Sequence, residues 1–327
     1  MKLNANGVNT RIDNQRKVKK MSTKTLIKKT KSSNLSENAS FYLVMLPFVS
    51  LFFVFNILPI LASMVLSFFD FDMVSTPIFI GLENYSRMFA GDDTFLKVLG
   101  NTLKFSIVAG PGGFILSFVL AWMINEFSKT VRVILTFIFY APALVGNAYF
   151  IWQILFSGDS LGYLNNFLIS FGFLSEPINW FQNTSYNMTI LIIIQLWMSM
   201  GVTFLSNIAG LQNVDAEQYE AGAIDGIRTR WHELWYITLP SMKSILLFGA
   251  VMQIQSVFSV SGLMTVLVGY PSVNNSVDTL VSYISDIGTA RYEMGYASAL
   301  SVLLFALVLC FRFGIGALLN LVGKSDS

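Results

Sequence analysis

EQYEAGAIDGIRTRWHELWYITLP (residues 217–240) gathers Glu217, Glu220, Asp225, Arg228, Arg230, Glu233 and the only histidine, His232, into one connection of a strongly apolar chain. Mean hydropathy over the 327 residues is +0.60, and only 12% of them are charged. Asp215 is placed to cap a helix, and Glu217, Glu220, Ala221 and Ile224 then follow at helical spacing. Asp225-Gly226 ends that helix, because glycine accepts the left-handed conformation that closes helix C-termini. A second amphipathic stretch through Trp231, Leu234 and Ile237 leads to Pro240. The segment therefore reads as two short helices around a sharp turn with a compact acidic tip. On periodicity alone it fits an interfacial anchor between two membrane spans.

Outward from this segment, charge-free runs cover 41–69, 105–125, 133–158, 177–214, 244–277 and 294–311. A helix crosses a bilayer with about 20 mainly apolar residues. The sequence thus predicts an all-α membrane protein with six transmembrane helices, near 41–69, 102–126, 133–156, 188–211, 245–269 and 296–319. Six such helices would leave a soluble fold almost no polar surface, and the runs are too long and continuous for the alternating strands of a membrane barrel. Ten of the 21 lysines and arginines lie in residues 1–40, and Lys129, Arg132, Arg228, Arg230 and Lys243 follow the second and fourth spans. Residues 159–186 carry none. By the positive-inside rule, both termini and the 213–243 loop between spans four and five face the cytoplasm from the plasma membrane. Residues 1–40 form a basic tail that orients the chain and attracts membrane lipid, with no nucleic acid as partner.

Catalytic signatures are missing: the chain has no GxSxG, no HExxH and no paired cysteines. The terminal Gly323-Lys324-Ser325 lacks the earlier glycine of a phosphate loop, a position held by Leu318. One cysteine, Cys310, and one histidine exclude an internal disulfide and a Cys/His metal site. GPGG (110–113) lies at membrane depth and reads as a kink or a close helix contact. NWFQN (179–183) reads as an interfacial aromatic cluster, and Arg312 as a side chain near the inner end of the last span that reaches the headgroups. Polar side chains inside spans are costly unless they face a cavity or a neighbouring helix. Asn147, Gln195, Gln253, Gln255 and Ser256 are therefore candidates for a substrate path, with Trp197 and Phe258 as stacking surfaces. Interhelical hydrogen bonding and packing are the competing roles for each.

Glu220-Ala221-Gly222, three residues, Gly226, and then Ile237-x-Leu239-Pro240 resembles the EAA loop of permease subunits in ATP-binding-cassette (ABC) importers. GLENYSRMF (81–89), GNTLKFS (100–106), AGLQNVDAEQYEAGAIDG (209–226), ITLPSMKS (237–244) and MGYASALSVLLF (294–305) extend the likeness over most of the apolar chain. It is similar above all to the sugar-importing branch related to the maltose and glycerol-phosphate permeases. Two departures stand out: Gly222 replaces the second alanine, and ten residues rather than about nine separate Gly226 from Ile237.

The resemblance implies a type I ABC importer permease fold, with a core over 97–322 after the first helix at 41–69. It implies import of a carbohydrate of oligosaccharide size by a chain that has no ATPase site and binds no cofactor. ATP and magnesium would sit on two partner ATPase subunits. A second homologous permease and an extracellular solute-binding protein would complete the importer. The 213–243 loop would be the coupling helix that docks in the ATPase. Glu220 would meet a basic residue there and Gly226 would form the turn, with Ala221, Gly222 and Asp225 in support. An ion-coupled secondary transporter or channel for a small neutral solute is the alternative. It fits less well, since all 19 acids lie outside the apolar runs or at their ends.

Overall fold

The computed structural model describes residues 42–145 and 148–322; the basic tail and candidate Asn147 lie outside the described residues. Contacts divide the chain into one unit through Ala62 and another from Ser63 onward. The first holds most of α1 (Tyr42–Leu66), an apolar helix with a π turn at Phe53–Ile57.

In the second unit a two-stranded ribbon, β1 (Phe69–Asp70) and β2 (Ile78–Phe79), leads to α2 (Glu83–Ala90) and to α3 (Asp93–Asn125). Asp92 caps α3 by accepting the Phe95 N–H at 2.9 Å. Next come α4 (Lys129–Leu144), α5 (Phe150–Leu155), α6 (Tyr163–Ser170), α7 (Asn187–Met198) and α8 (Val202–Gln212). The charged segment forms α9 (Ala216–Ile224) and α10 (Arg230–Glu233), then a π turn (Leu234–Thr238) and α11 (Leu239–Ser241). The chain finishes with α12 (Lys243–Phe258), α13 (Ser261–Leu267), α14 (Leu280–Ser285) and α15 (Met294–Val322).

Among the described residues five helical stretches are long and apolar enough to cross a membrane: Tyr42–Leu66, Asp93–Asn125, Asn187–Gln212, Lys243–Leu267 and Met294–Ala317. The continuous helix expected over 133–156 is instead divided into α4 and α5. Helix α4, which keeps Pro142 inside it, ends where the backbone turns extended at Val145 (φ −94, ψ 94). Two of the long stretches also break midway, between α7 and α8 and between α12 and α13.

Helices α3, α8 and α12 pack through small residues. A Cβ on Gly113 would overlap the Gln253 amide and stand 2.9 Å from Ser199 Cβ, so GPGG serves a close helix contact while Pro111 stays inside α3. Thr203 Oγ1 donates to the Gly249 carbonyl at 3.2 Å across the α8–α12 contact. Around this seam lie Phe118, Ala121, Phe204, Ile208, Leu234 and Leu246, all buried.

Polar side chains tie down the end at which α3 and α15 begin. The Asn84 amide donates to the Ser67 and Phe69 carbonyls, each at 3.0 Å. Asn101 donates to the Asn275 carbonyl at 2.7 Å, and Thr102 Oγ1 accepts the Leu280 N–H at 2.9 Å. Asp92 accepts from the Tyr283 and Tyr296 hydroxyls at 2.6 and 2.7 Å. Arg87 pairs with Glu293 and lies 4.1 Å from the centre of the Tyr296 ring. Burial raises the Asp92 carboxyl, but the two tyrosines, the Phe95 N–H and Arg87 together hold it below the usual range. These residues form a clamp.

One expectation changes in the packed unit. The aromatic rings of NWFQN turn inward, with Phe181 buried against Phe156 and the Trp180 indole donating to buried Asn165 at 2.9 Å.

Candidate functional site

The α9–α10 hairpin is fixed by local bonds that its sequence announces. Asp215 accepts the Glu217 N–H at 3.1 Å and starts α9. At the other end the Ile227 N–H reaches the Gly222 carbonyl at 2.9 Å and the Gly226 N–H reaches the Ala223 carbonyl at 3.3 Å. This is the Schellman closure, and it needs the left-handed φ of +91° at Gly226. Thr229 then caps α10 through the His232 N–H at 3.3 Å.

Gly222, the departure from the EAA pattern, is the buried residue of α9. A Cβ there would stand 2.6 Å from Ile237 Cδ1 and 3.3 Å from Ile227 Cδ1, so two isoleucines occupy the space an alanine methyl would need. The second departure is absorbed by the π turn, where the Leu239 N–H returns five residues to the Leu234 carbonyl and one extra residue fits in the ring. Leu234, Ile237 and Thr238 face inward, whereas Trp231, expected on the same face, is 63% exposed.

Further bonds join the hairpin to the base of α12 and the end of α3. The Tyr219 hydroxyl meets Thr238 Oγ1 at 3.0 Å, and Ser241 Oγ donates to Gln218 Oε1 at 2.7 Å. Arg230 bridges Glu233 at 2.7 Å and Glu126, just past α3, at 2.8 Å. The Glu233 hydrogen bond, aided by Glu126, holds the Arg230 guanidinium above its ordinary value despite partial burial. Trp122 and Trp231 meet with ring centres 5.4 Å apart, beside a recess of about 230 Å³ lined by Asn125, Tyr219 and Arg230. None of the connections to Thr238, Gln218 or Glu126 could be read from local spacing. Glu220, Ala221 and Asp225 point outward, and Ile224 is 87% exposed. The tip is held rigidly from behind and left open in front.

The path candidates separate into two groups. Gln195 donates to Ser256 Oγ at 3.0 Å, which joins α7 to α12 one turn before the break at 199–201. Trp197 sits edge-on to Trp152 at 5.3 Å, and Gln255 and Ser256 are exposed. By contrast, Gln253 is buried with its amide donating to the Ala109 carbonyl at 3.4 Å, and Phe258 packs on Phe311. Sequence reading missed Asn207, fully buried in α8 with neither amide atom bonded to any of the described residues. Among the described residues no group of three His, Cys, Asp or Glu could hold a metal.

A family model described as the binding-protein-dependent transport system inner membrane component matches residues 113–320. The chain is 32% identical to the arabinooligosaccharides transport system permease protein AraP of Bacillus subtilis, over 84% of this chain and 86% of that one. It is 30% identical to the lactose transport system permease protein LacF of Rhizobium radiobacter, over 83% and 91%. A chain of a bacterial alginate ABC transporter, crystallised in complex with an alginate pentasaccharide-bound periplasmic protein, superposes with a TM-score of 0.74 at 21% identity. That likeness covers 90% of this chain and 99% of the other, and it shows the fold.

Proposed function

The chain belongs to the binding-protein-dependent transport system inner membrane component family, and from that membership we propose a mechanism in which its charged hairpin takes up the motion of separate ATPases. The chain is the permease subunit of a carbohydrate ABC importer and has no catalytic activity of its own. Its cargo is of oligosaccharide size, in keeping with the arabinooligosaccharide and alginate systems it resembles.

One observation carries the mechanism: an open acidic tip is hydrogen-bonded through Tyr219–Thr238 and Gln218–Ser241, and packed at Gly222 against Ile237, onto the turns that lead into a long apolar helix. A push on α9 is thereby passed to α12 without slack. Glu220, Ala221, Asp225 and Gly226 dock in an ATPase subunit, Glu220 against a basic residue, while Gly222 admits Ile237 behind them. ATP and magnesium reside on two such subunits, and closure on nucleotide rocks the membrane helices between outward-open and inward-open states. A second permease chain and an extracellular solute-binding protein complete the assembly.

In this arrangement α4 and α5 together make a broken third crossing, which gives six crossings and cytoplasmic termini around the 97–322 core. Sugar passes near the mid-span breaks at 199–201 and 259–260, where freed backbone groups need a polar neighbour. Gln195, Gln255, Ser256 and Trp197 line that level, and Gln253 and Phe258 support them from behind.

Glu220→Lys is the test: uptake falls to background and ATP hydrolysis loses its dependence on the loaded binding protein, while the chain stays in the membrane. Normal uptake at normal expression would reject the coupling role.

A further inference from the structure

Asn165 is fully buried and uses both ends of its amide. Its Nδ2 hydrogens are shared among the Ser157, Asp159 and Ile178 carbonyls at 3.0, 3.1 and 2.9 Å. Its Oδ1 accepts the Ile178 N–H at 3.2 Å and the Trp180 indole N–H at 2.9 Å. One side chain thus closes the connection between α5 and α7 and fixes where Trp180 stands. That connection carries no lysine or arginine over 159–186, and its acids are Asp159 and Glu176.

From Trp180 a row of rings runs to a mid-span break. Trp180 meets Phe156 edge-on with centres 6.1 Å apart, Phe156 lies nearly parallel to Trp152 at 5.9 Å, and Trp152 meets Trp197 edge-on at 5.3 Å. Trp197 stands just before the break at 199–201. Trp152 and Phe156 are four residues apart and share one side of α5. Phe150, Ile151 and Ile154 project from the opposite side and are exposed, which gives the helix a separate apolar face for lipid. All four rings of the row are half-buried, so each keeps part of its surface open.

Amides and hydroxyls accompany the row at both ends. Exposed Gln182 donates to the Val268 carbonyl at 3.0 Å beside the upper rings, and Gln195 joins Ser256 near Trp197. Aliphatic side chains would pack these helices equally well. Flat rings flanked by amides suit a neutral sugar, whose C–H faces stack on aromatic rings and whose hydroxyls pair with amides. An inorganic anion would find no basic side chain along 159–186.

We propose that Trp180, Phe156, Trp152 and Trp197 form a track of sugar-ring subsites leading from the α5–α7 connection to the break at 199–201, with Asn165 as the positioning residue at its outer end. The assignment rests on the importer reading. It adds to that reading the route by which cargo reaches mid-span and a reason why longer cargo is favoured over shorter.

The test uses the full importer in proteoliposomes with its binding protein, given equimolar pairs of a disaccharide and a trisaccharide: maltose with maltotriose, arabinobiose with arabinotriose, and galactobiose with galactotriose. The ratio of long to short sugar imported is compared among the native chain, Trp180→Ala, Trp180→Phe and Asn165→Ala. A variant that merely lowers the amount of folded protein leaves this ratio unchanged. The expected ratio is roughly tenfold lower in Trp180→Ala and Asn165→Ala and near native in Trp180→Phe. In a second arm Trp152 is replaced by the photocrosslinker p-benzoylphenylalanine, and illumination during transport should add the mass of a trisaccharide to this chain. An unchanged ratio in Trp180→Ala, or an adduct on lipid alone, or no adduct, would overturn the proposal. If the native importer takes up none of these sugars, the carbohydrate reading fails first, and that control separates the two.

Discussion

The clamp and the hairpin, at opposite ends of α3, draw on the same side chains in opposite ways. At the clamp, Asp92, Tyr283, Tyr296, Arg87 and Glu293 turn on one another, and Asn84, Asn101 and Thr102 spend their polar atoms on nearby backbone. At the hairpin, bonds run only along the back, through Tyr219, Gln218 and Arg230, while Glu220, Asp225 and Ile224 face outward. Exposed pairs such as Arg230–Glu126 contribute about 0 to 1 kcal/mol each, so the hairpin's shape rests on its caps and on Ile237. An end whose polar groups answer each other braces the helices. An end that is stiff behind and open in front is made to be held.

That contrast breaks first at Gly295. A Cβ there would overlap the Phe69 carbonyl, where backbone cannot yield as a side-chain tip can. Gly295→Ala should cost about 3 kcal/mol through overpacking, seen as a lower Tm and poor recovery of monodisperse protein. A native Tm would show that the clamp is soft. Gly226→Val comes next, and here the cost is conformational: φ is +91° and nothing lies within 4 Å of the added carbon. Left-handed strain of about 1 to 2 kcal/mol should weaken capture of the ATPase subunit roughly tenfold while leaving the yield of this chain unchanged. Unaltered capture would mean the turn is not what the ATPase reads.

Asp92→Asn is the smallest. The amide keeps one acceptor but loses the charge, at about 1 kcal/mol. Because the folded carboxyl lies below its unfolded value near 3.9, its contribution is present above that pH and disappears as pH falls through the folded value. The Tm difference between native and variant protein should therefore shrink below about pH 4. A difference constant down to strongly acid pH would remove the carboxylate from the clamp.

What was legible in the sequence was local. Asp215, Gly226 and the spacing between them specify α9 and its closure because caps act within a few residues. The long apolar runs likewise specify helices, since uninterrupted apolar stretches leave backbone groups no partner but their own segment. The division of the third run was not legible, because the prolines at 111 and 142 both lie inside helices and no residue type at Val145 marks an end. Gly222 reads as a flaw until Ile237 is seen filling the space, and the extra residue before Ile237 reads as slack until the π turn takes it up. No periodicity within a helix reveals that Gln195 meets Ser256, since that pairing joins residues 61 positions apart.

The central claim is that the hairpin is a cytoplasmic handle gripped by a separate ATPase. Glu220→Cys in a Cys310→Ser background tests it with a membrane-impermeant maleimide. Labelling should occur in inside-out vesicles, be absent from right-side-out vesicles, and fall when the ATPase subunits are bound. Labelling from the outer face, or labelling that bound ATPase leaves unchanged, would contradict the account.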